Sequence, residues 1–472
     1  MAAESGQTSP SINPATGEVI AQISMGGVTE VDLAVAAARS AFPVWSNIPV
    51  DQRSKILMRI AESMEAHLQE LIDIHVLDHG SPTYVAKLFA QTIPAHFRYA
   101  AEVSKTIMGL TGLKPGLSNG LSYVRREPLG VCAGITPWNV PFMVTTKIAA
   151  ALATGNTCII KPPSIVSLPA LKIAEILSDC TELPPGTVNF ITGPGSTMGE
   201  SLASHPGVDM VAFTGSNETG QAIMSAASNA IKPIFLELGG KNPFIVLEDA
   251  DIDQAVAKAV PSQYFNSGMV CAASGRFYVH EKIYDDFVSK FLSETRKMVV
   301  GPPTDQKTKM GPLISAGHRD QVESYIRLGQ EEGARLALGG ERPIDPPLDK
   351  GFYVKPTVFT HVGQQMRIGR EEIFGPVACI MEPFNSDDQA IAMANDNIYG
   401  LLANIWTRNT AKGIRLAEKI DAGTVRVNGG VGSFGGELPW GGFKASGFGK
   451  EGSRFGLEEY TRIKTISIDT SI

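Results

Sequence analysis

Three side chains in the sequence carry groups that together could attack a carbonyl compound and hydrolyse the product. Cys271 lies among small and polar residues, where a thiolate could act as a nucleophile. Glu237 stands between two leucines, and loss of solvent there would raise the pKa of its carboxyl, which suits a general base for water near neutral pH. Asn139 ends Thr136-Pro-Trp-Asn139 and could donate its amide N–H to a developing oxyanion.

Each of these residues also has a purely structural interpretation. A lone cysteine is usually a small core residue. Glu237 could pair with Lys241 or Lys232, and Asn139 could cap a helix that begins two residues later. Residue types alone therefore leave both interpretations open.

Two further segments could hold a nucleotide. Gly215 and Gly220 bracket a turn in Phe213-Thr-Gly-Ser-Asn-Glu-Thr-Gly220. The turn follows a predicted strand and opens a helix, where free backbone N–H groups and the positive helix end suit a pyrophosphate. Its spacing differs from GxGxxG, so a plain β–α turn stays open. Lys161 follows another predicted strand and could donate to ribose hydroxyls, or it could be a solvated lysine.

The elements that must position these residues are predicted from hydrophobic periodicity. Helices dominate from about residue 28 to 108, and a Gly-, Pro- and Ser-rich stretch from 109 to 120 followed by alternating residues predicts a hairpin. Short apolar runs then alternate with helix-length segments, which is typical of parallel, doubly wound sheets. The predicted fold is α/β with two such units that meet near Gly239–Gly240. The predicted strands are Val131–Ile135, Cys158–Ile160, Val188–Ile191, Met210–Phe213 and Ile234–Leu236, then Phe244–Val246, Phe277–Val279 and Cys379–Met381.

Composition excludes several classes of protein. The 472 residues carry a net charge of -7 without a basic run, which argues against a nucleic-acid partner. No apolar stretch approaches the roughly 20 residues that span a membrane, and the first residues do not resemble a secretion signal. Five widely spaced cysteines predict neither a disulfide framework nor a zinc site, so we expect no metal and a reducing, cytoplasmic location.

Taken together, the segments resemble the aldehyde dehydrogenase superfamily from about Ile12 to Ile466. The resemblance rests on motifs that occur in the family's order and near its spacing. They are Pro137-Trp-Asn139, Phe213-Thr-Gly-Ser216, Glu237-Leu-Gly-Gly-Lys241, the Cys271 segment, Glu371-Glu-Ile-Phe-Gly-Pro376 and Pro439-Trp-Gly-Gly-Phe-Lys444.

The resemblance implies NAD(P)-dependent oxidation of an aldehyde to a carboxylic acid. Cys271 would attack the aldehyde carbon, and Asn139 with the Cys271 backbone N–H would form the oxyanion hole. Hydride transfer from the thiohemiacetal to the nicotinamide would leave a thioester, and Glu237 would activate the water that hydrolyses it.

The resemblance also implies a set of cofactor-binding residues. Many NAD-preferring members carry a glutamate at the position of Ser164, so this chain is expected to use NAD or NADP, with NADP tolerated. Lys161 and Glu372 would hold the two riboses and Phe374 would pack beside the nicotinamide. The remaining predicted contacts are Gly215 and Ser216 at the pyrophosphate, and Trp138, Ser164 and Gly195 bordering the nucleotide.

The resemblance further predicts domains and assembly. Residues 1–108 and 129–238 would bind NAD(P), and residues 239–459 would form the catalytic domain. Residues 109–128 and 460–472 would be an oligomerisation element of a homodimer or homotetramer. The family's usual opening strand before Asn13-Pro-Ala-Thr-Gly17 is expected to be missing.

The expected substrate is an uncharged aliphatic or aromatic aldehyde. Arg426 and Arg462 could bind a substrate carboxylate, but a surface or interface position is favoured for both. The predicted substrate tunnel is apolar, lined by Met269, Val270, Ala272, Phe434 and Trp440.

Three other functions could use parts of the same sequence. A CoA-acylating semialdehyde dehydrogenase, or a reductase of acyl phosphates, does not need the water-activating Glu237. A cysteine hydrolase would need a histidine partner for Cys271, and no motif predicts one. A non-catalytic structural or binding relative would be expected to lack Cys271, Glu237 or Asn139, and the chain has all three.

Overall fold

A computed structural model of the chain describes residues 3–113, 120–430 and 436–469. The strands, in chain order, are β1 (Thr8–Ile12), β2 (Val19–Ser24), β3 (Leu110–Leu113), β4 (Leu121–Pro128), β5 (Val131–Ile135), β6 (Thr157–Lys161), β7 (Val188–Phe190), β8 (Met210–Thr214), β9 (Ile234–Glu237), β10 (Pro243–Val246), β11 (Arg276–Val279), β12 (Arg335–Leu338), β13 (Thr357–Val362), β14 (Val377–Met381), β15 (Tyr399–Gly400), β16 (Leu402–Trp406), β17 (Thr424–Val427), β18 (Phe443–Lys444), β19 (Gly447–Phe448) and β20 (Thr461–Ile468).

The α-helices are α1 (Val28–Ser46), α2 (Val50–Ala66), α3 (Leu68–His79), α4 (Thr83–Ile107), α5 (Val144–Ala153), α6 (Leu168–Ser178), α7 (Gly195–Ser204), α8 (Asn217–Ser228), α9 (Ile252–Tyr264), α10 (Tyr284–Arg296), α11 (Ala316–Glu331), α12 (Arg367–Arg370), α13 (Asp387–Asn395), α14 (Thr410–Ala417) and α15 (Ser453–Glu458). Short 3-10 turns occur at Pro141–Met143, Phe265–Gly268, Glu281–Ile283 and Leu348–Lys350.

The first large sheet brings the predicted nucleotide segments together. Its strand order is β19-β9-β8-β5-β6-β7, and all of its strands run parallel except β19. Strands β5, β6 and β8 are buried throughout, as expected when helices cover both faces of a parallel sheet. Ile135 pairs with Lys161 and Phe213, and Thr214 pairs with Glu237. The carboxyl ends of four strands therefore lie side by side.

The second large sheet carries the cysteine segment. Its order is β12-β13-β14-β11-β10-β16-β17, and only β12 runs antiparallel to its neighbour. Cys271 lies between α9 and β11, and Asn242, just before β10, donates its Nδ2 to Cys271 O at 2.6 Å and to Ala273 O at 2.8 Å. Since Asn242 follows Glu237 by only a few residues, the amino-terminal edge of this sheet faces the carboxyl edge of the first.

A third sheet has the order β20-β4-β3, with β20 at its edge. Strand β20 pairs antiparallel with β4 from Thr461↔Pro128 to Ile468↔Leu121, and most of its residues are exposed. The predicted hairpin is present as β3 and β4, and its tip at residues 114–119 lies outside the described residues.

The prediction that an opening strand is missing is wrong. Strand β1 precedes Asn13 and pairs with β2, and the Ser11 hydroxyl is buried against Asp78. The strand is short, polar and contains Pro10, so it lacks the apolar alternation of a strand. Proline is tolerated because β1 belongs to a two-stranded ribbon and has a free edge.

The α/β class with two doubly wound sheets is confirmed, and every predicted strand has its counterpart. The domain boundaries stay a prediction, and β19, from the predicted catalytic domain, joins the first sheet. Within the described ranges, no helix combines the length and apolar character needed to cross a bilayer.

Candidate active site

One cavity of about 1050 Å³ opens where the two large sheets face each other. The carboxyl ends of β5, β6, β8 and β9 form one wall, and the segment before β11 forms another. Every predicted catalytic and cofactor-binding residue lines this cavity. They are Trp138, Asn139, Lys161, Ser164, Gly195, Gly215, Ser216, Glu237, Cys271, Glu372 and Phe374.

Cys271 is presented to the cavity by an unusual backbone turn. Asn266 and Ser267 have φ of 50° and 58°, and Gly268 has φ of 74°, so three consecutive residues adopt the left-handed region. The thiol is partly exposed in the cavity. Burial, and then the nearby charge of Glu237, raise the pKa of the Cys271 thiol well above its usual value. The group is thus a neutral thiol at neutral pH with a carboxyl beside it.

Glu237 ends β9 and is 3% exposed. Trp440 donates its Nε1–H to Glu237 Oε1 at 3.2 Å. Burial, with the charge of Glu451 as the second cause, raises the pKa of the carboxyl to about 8. Pairing with Lys241 or Lys232 does not occur in the described part of the chain, and Lys232 Nζ donates to His205 O at 2.7 Å. The carboxyl is poised to exchange a proton near neutral pH.

Asn139 follows β5 and is largely buried. The turn at Pro141–Met143 is capped by Val140 and not by Asn139, so the capping interpretation is wrong. The side-chain amide of Asn139 lines the cavity and has no hydrogen-bond partner among the described residues. Its N–H is therefore available to a ligand.

A buried ionic network behind Glu237 was not predicted from the sequence. Lys147 is 1% exposed, and its Nζ lies 3.0 Å from Glu451 Oε1 and 2.9 Å from Thr214 Oγ1. Thr146 Oγ1 donates to the same Glu451 oxygen at 2.6 Å. The charge of Lys147 lowers the pKa of Glu237, whereas that of Glu451 raises it. A signal was present, because a lysine directly before the apolar run 148–153 of α5 needs a buried partner.

The opposite end of the cavity is built from the first sheet's βα turns. Lys161 is buried, which lowers the pKa of its ammonium to about 8, and it has no hydrogen-bond or ion-pair partner in the described ranges. Ser164 Oγ donates to Gly193 O at 2.8 Å. Ser216 caps α8, with its Oγ accepting from Thr219 N at 3.3 Å. The ammonium of Lys161 and the N-terminus of α8 thus face the same end of the cavity.

Three rings pack beside this end. Phe374, at φ 58°, contacts Trp138 edge-on with centroids 5.3 Å apart. His318, which no motif indicated, packs on Trp138 at 5.2 Å, and its Nε2 donates to Phe374 O at 2.8 Å. Glu372 accepts from Gly240 N at 2.9 Å, and burial raises the pKa of its carboxyl to about 7.

The family model described as aldehyde dehydrogenase family matches residues 1–466. The chain belongs to the aldehyde dehydrogenase family. The identification made from the sequence is confirmed. This dehydrogenase is an NAD(P)-dependent oxidoreductase that oxidises aldehydes through a thiohemiacetal on a catalytic cysteine.

The dehydrogenase is similar throughout its length to proteins named betaine aldehyde dehydrogenase. The protein of Bacillus subtilis (strain 168) is 41% identical over 473 residues, which cover 100% of this chain and 96% of the relative. A crystal structure of the Staphylococcus aureus protein in complex with NAD+ is 37% identical with a TM-score of 0.97, covering 100% of this chain and 94% of that one. A point mutant of the same protein, also with NAD+, is 38% identical with the same TM-score and covers 100% and 95%.

The residues of the dehydrogenase fit a nicotinamide dinucleotide. The unpartnered ammonium of Lys161 and the N-terminus of α8 suit ribose hydroxyls and a pyrophosphate. A Cβ on Gly195 would lie 3.8 Å from Lys161 Nζ, so this glycine borders the same part of the cavity as the lysine.

Of the predicted tunnel residues that the structure describes, three line the cavity and one does not. Val270, Ala272 and Trp440 line the cavity, but Met269 does not, because it packs into the core beneath. Arg462 lies on β20, with Nε 3.7 Å from Glu127 Oε2.

Arg426 lines the cavity instead of lying at the surface or in an interface as predicted, and it donates to Gly430 O. Phe434 lies outside the described residues.

Proposed function

We propose that the dehydrogenase converts an uncharged aldehyde to its carboxylic acid through a thioester on Cys271. The observation that carries this proposal is the meeting of three groups in one cavity. They are the Cys271 thiol, the Glu237 carboxyl with its pKa raised to about 8, and the unpartnered Asn139 amide.

The first step is addition to the aldehyde. Cys271 Sγ gives up its proton and bonds to the carbonyl carbon, and the carbonyl oxygen becomes an oxyanion. The Asn139 amide and the Cys271 backbone N–H stabilise this oxyanion, because fixed donors are strongest where charge develops away from water. The buried carboxyl of Glu237 is the nearest group that can take the thiol proton.

The second half releases the acid. The bound nicotinamide accepts hydride from the carbon, which leaves an acyl thioester on Cys271. Glu237 first releases the thiol proton to solvent through the open cavity. In its ionised form it then takes a proton from water as the hydroxide adds to the thioester, and the expelled thiolate regains that proton from Glu237. Trp440 and the Lys147–Glu451 pair hold Glu237 and set its pKa during this step.

The cofactor is proposed to be NAD or NADP. Lys161 and Glu372 would contact the riboses, Gly215 and Ser216 the pyrophosphate, and Phe374 the nicotinamide side. Trp138, Ser164 and Gly195 would border the nucleotide, and Ser164 brings no negative charge to the ribose site. A 2′-phosphate would instead meet the free ammonium of Lys161.

We propose a neutral aldehyde in preference to the betaine aldehyde of the named relatives, on the basis of the side chains that the described ranges contribute to the cavity. A trimethylammonium group is held by a cage of aromatic faces. The end of the cavity nearest Cys271 is lined, in the described ranges, by α4, residues 140–143, residues 436–440 and the segment 265–275, here called the cysteine loop. Only two phenyl or indole rings come from these segments, those of Phe89 and Trp440. The remaining side chains that they contribute are Thr92, His96, Val140, Met143, Val270, Ala272, Leu438 and Pro439.

We also propose assembly into a homodimer or homotetramer. Strand β20 is exposed on most of its residues and lies at a sheet edge, where unpaired N–H and C=O groups invite a partner strand. A cytoplasmic location is proposed because the mechanism needs a free thiol, and all five cysteines are free.

The test is cofactor reduction with a matched pair of aldehydes. Betaine aldehyde and its carbon isostere, 3,3-dimethylbutanal, differ in charge but hardly in shape. Short aliphatic, aromatic and acidic aldehydes complete the panel, with NAD and NADP tested separately, with and without CoA. We expect kcat/KM for the isostere to exceed that for betaine aldehyde by at least about 10-fold.

Variants test the mechanism in the same assay. Cys271→Ala should abolish turnover, Glu237→Gln should allow at most one burst, and Cys180→Ala, at a half-exposed cysteine outside the cavity, should behave as wild type. Preference for betaine aldehyde would overturn the substrate proposal. Turnover only with CoA would indicate an acylating enzyme, and turnover by Cys271→Ala would overturn the mechanism.

A further inference from the structure

The side-chain amide of Asn266 joins the two segments that carry the proposed oxyanion donors. Asn266 is 1% exposed, and its Nδ2 donates to Asn139 O at 3.2 Å and to Met269 O at 3.4 Å. Asn139 carries one donor on its side chain, and Met269 lies two residues before Cys271, which carries the other on its backbone. A single amide group therefore ties the two halves of the oxyanion hole to each other.

The orientation of this amide is fixed by its neighbours. Because both acceptors of Asn266 Nδ2 are carbonyls, its Oδ1 must face the remaining partner, the Ser81 hydroxyl, which donates to it at 2.7 Å. A flipped amide would direct its oxygen at two carbonyl oxygens, which repel it. Ser81 lies between α3 and α4, so the orientation is determined from the helical side of the cavity.

Two histidines fix the Ser81 hydroxyl in turn. His75 Nε2 lies 3.0 Å from Ser81 Oγ, and His79 Nδ1 lies 2.7 Å from it. Since the hydroxyl proton points to Asn266, both imidazoles donate to the oxygen. Burial lowers the pKa of His75 well below its usual value and that of His79 to about 3, so each ring is neutral and has a single N–H.

We propose that Asn266, oriented by Ser81, His75 and His79, is a positioning residue that sets the distance between the two donors of the oxyanion hole. The inference rests on the proposed role of Asn139. The turn that carries Asn266 is strained, with φ of 50° at this residue and 58° at Ser267, and such a turn persists only where neighbours over-determine it.

The central variant is Asn266→Asp, which keeps the shape and tolerates left-handed backbone but lacks the amide NH2 group that donates to both carbonyls. We expect the pre-steady-state burst of reduced cofactor to slow by about 10- to 100-fold, the range for a small misplacement of catalytic groups. KM for NAD should hardly change. The rate of Cys271 alkylation by iodoacetamide should also be unchanged, because alkylation does not use the oxyanion hole. A general loosening of the loop would instead change the alkylation rate.

Ser267→Ala is the matched control. Ser267 lies next to Asn266, is equally buried and donates to Gly311 O at 2.9 Å, so its loss removes a hydrogen bond of the same turn that does not reach Asn139. Its burst rate should stay within about threefold of wild type. Ser81→Ala is the second variant, should Asn266→Asp fail to fold, and it should slow the burst while leaving alkylation unchanged.

A double-mutant cycle with Asn139→Ala decides the matter. Asn139→Ala should slow the burst by about 100-fold or more, and adding Asn266→Asp should slow it hardly further, because the positioned donor is already gone. If the two substitutions slow the burst independently, so that their fold-changes multiply in the double variant, this inference is overturned and the role of Asn139 is not. A normal burst in Asn266→Asp would have the same meaning. A normal burst in Asn139→Ala would overturn the proposed role of Asn139 and this inference with it.

Discussion

Trp440 donates its indole N–H to Oε1 of Glu237 across 3.2 Å, although the two residues are 203 positions apart in the sequence. The bond favours the ionised carboxyl, whereas burial and the charge of Glu451 favour the protonated form and win, since the pKa is raised to about 8. The protonation of Glu237, at the end of β9, thus depends on Trp440 and Glu451, which lie some two hundred residues later in the sequence.

Removing the indole donor should shift this balance toward the protonated form. In Trp440→Phe the ring volume is largely kept, but the hydrogen bond that lowers the pKa of Glu237 is lost. Thioester hydrolysis needs the ionised carboxyl, so the rise of steady-state rate with pH should move to higher pH by roughly one unit. The pH–kcat profile measures this, and an unchanged or lower midpoint would contradict it.

Neutralising Glu451 should have the opposite effect. Glu451→Gln keeps an oxygen that accepts from Thr146 and Lys147 but removes the charge that raises the pKa of Glu237. The midpoint of the pH–kcat profile should fall by roughly one unit. Thr146→Val, which removes a hydrogen bond to the same oxygen without a change of charge, is the control and should move the midpoint less.

Glu237 should also make the folded protein less stable as pH rises. Its pKa is about 8 in the folded state against 4.5 ordinarily, so the folded state holds a proton that the unfolded state has lost between these values. Stability falls across that window and is constant above it. At about 1.4 kcal/mol per pKa unit, the loss is on the order of 5 kcal/mol.

The variant Glu237→Gln has no titrating group at this position and should not lose this stability as pH rises. Its melting temperature should therefore exceed that of wild type by a margin that grows from pH 5 to pH 8. Glu62→Gln, at an exposed position on α2, reports the effect of a lost surface charge. A margin for Glu237→Gln that is the same at both pH values would refute this account.

Coenzyme choice should respond to charge at residue 164. In Ser164→Glu a carboxylate would face the 2′-phosphate of NADP, and such like-charge contacts cost several kcal/mol. We expect kcat/KM for NADP to fall by at least about 10-fold while that for NAD changes little. Ser164→Gln adds similar bulk without charge, so an equal loss of NADP activity in both variants would point to a steric effect instead.

Assembly should depend on the edge of the third sheet. Ile463 lies on β20 and is 61% exposed, so in a monomer it would leave an apolar side chain in water. Ile463→Asp should reduce the mass measured by light scattering after size exclusion. Exposed Ile344, in the second half of the chain, provides the control Ile344→Asp, which should leave the mass unchanged. An unchanged mass for Ile463→Asp would speak against assembly through this edge.

The sequence predicted the residues that stand at the ends of regular elements. Lys161 and Glu237 end parallel strands, and parallel register alone brings such ends to one sheet edge. The Lys147–Glu451 pair was out of reach, because its members are 304 positions apart and neither local pattern names the other. Asn266 was visible only as a neighbour of Cys271, since its contacts with Ser81 depend on how α3 meets the cysteine loop.

The short strand β19 has a consequence for how the enzyme comes into being on the ribosome. Gly447 pairs with Glu237 on the edge of the first sheet, in the same late segment that supplies Trp440 and Glu451. Domains generally fold in the order of synthesis, so the first sheet can form while the chain is still being translated. A nascent chain that already contains Cys271 and Glu237 still lacks the groups that set the charge of the base. Hydrolytic competence therefore begins only after residues 440–451 have been synthesised and have packed against the first sheet.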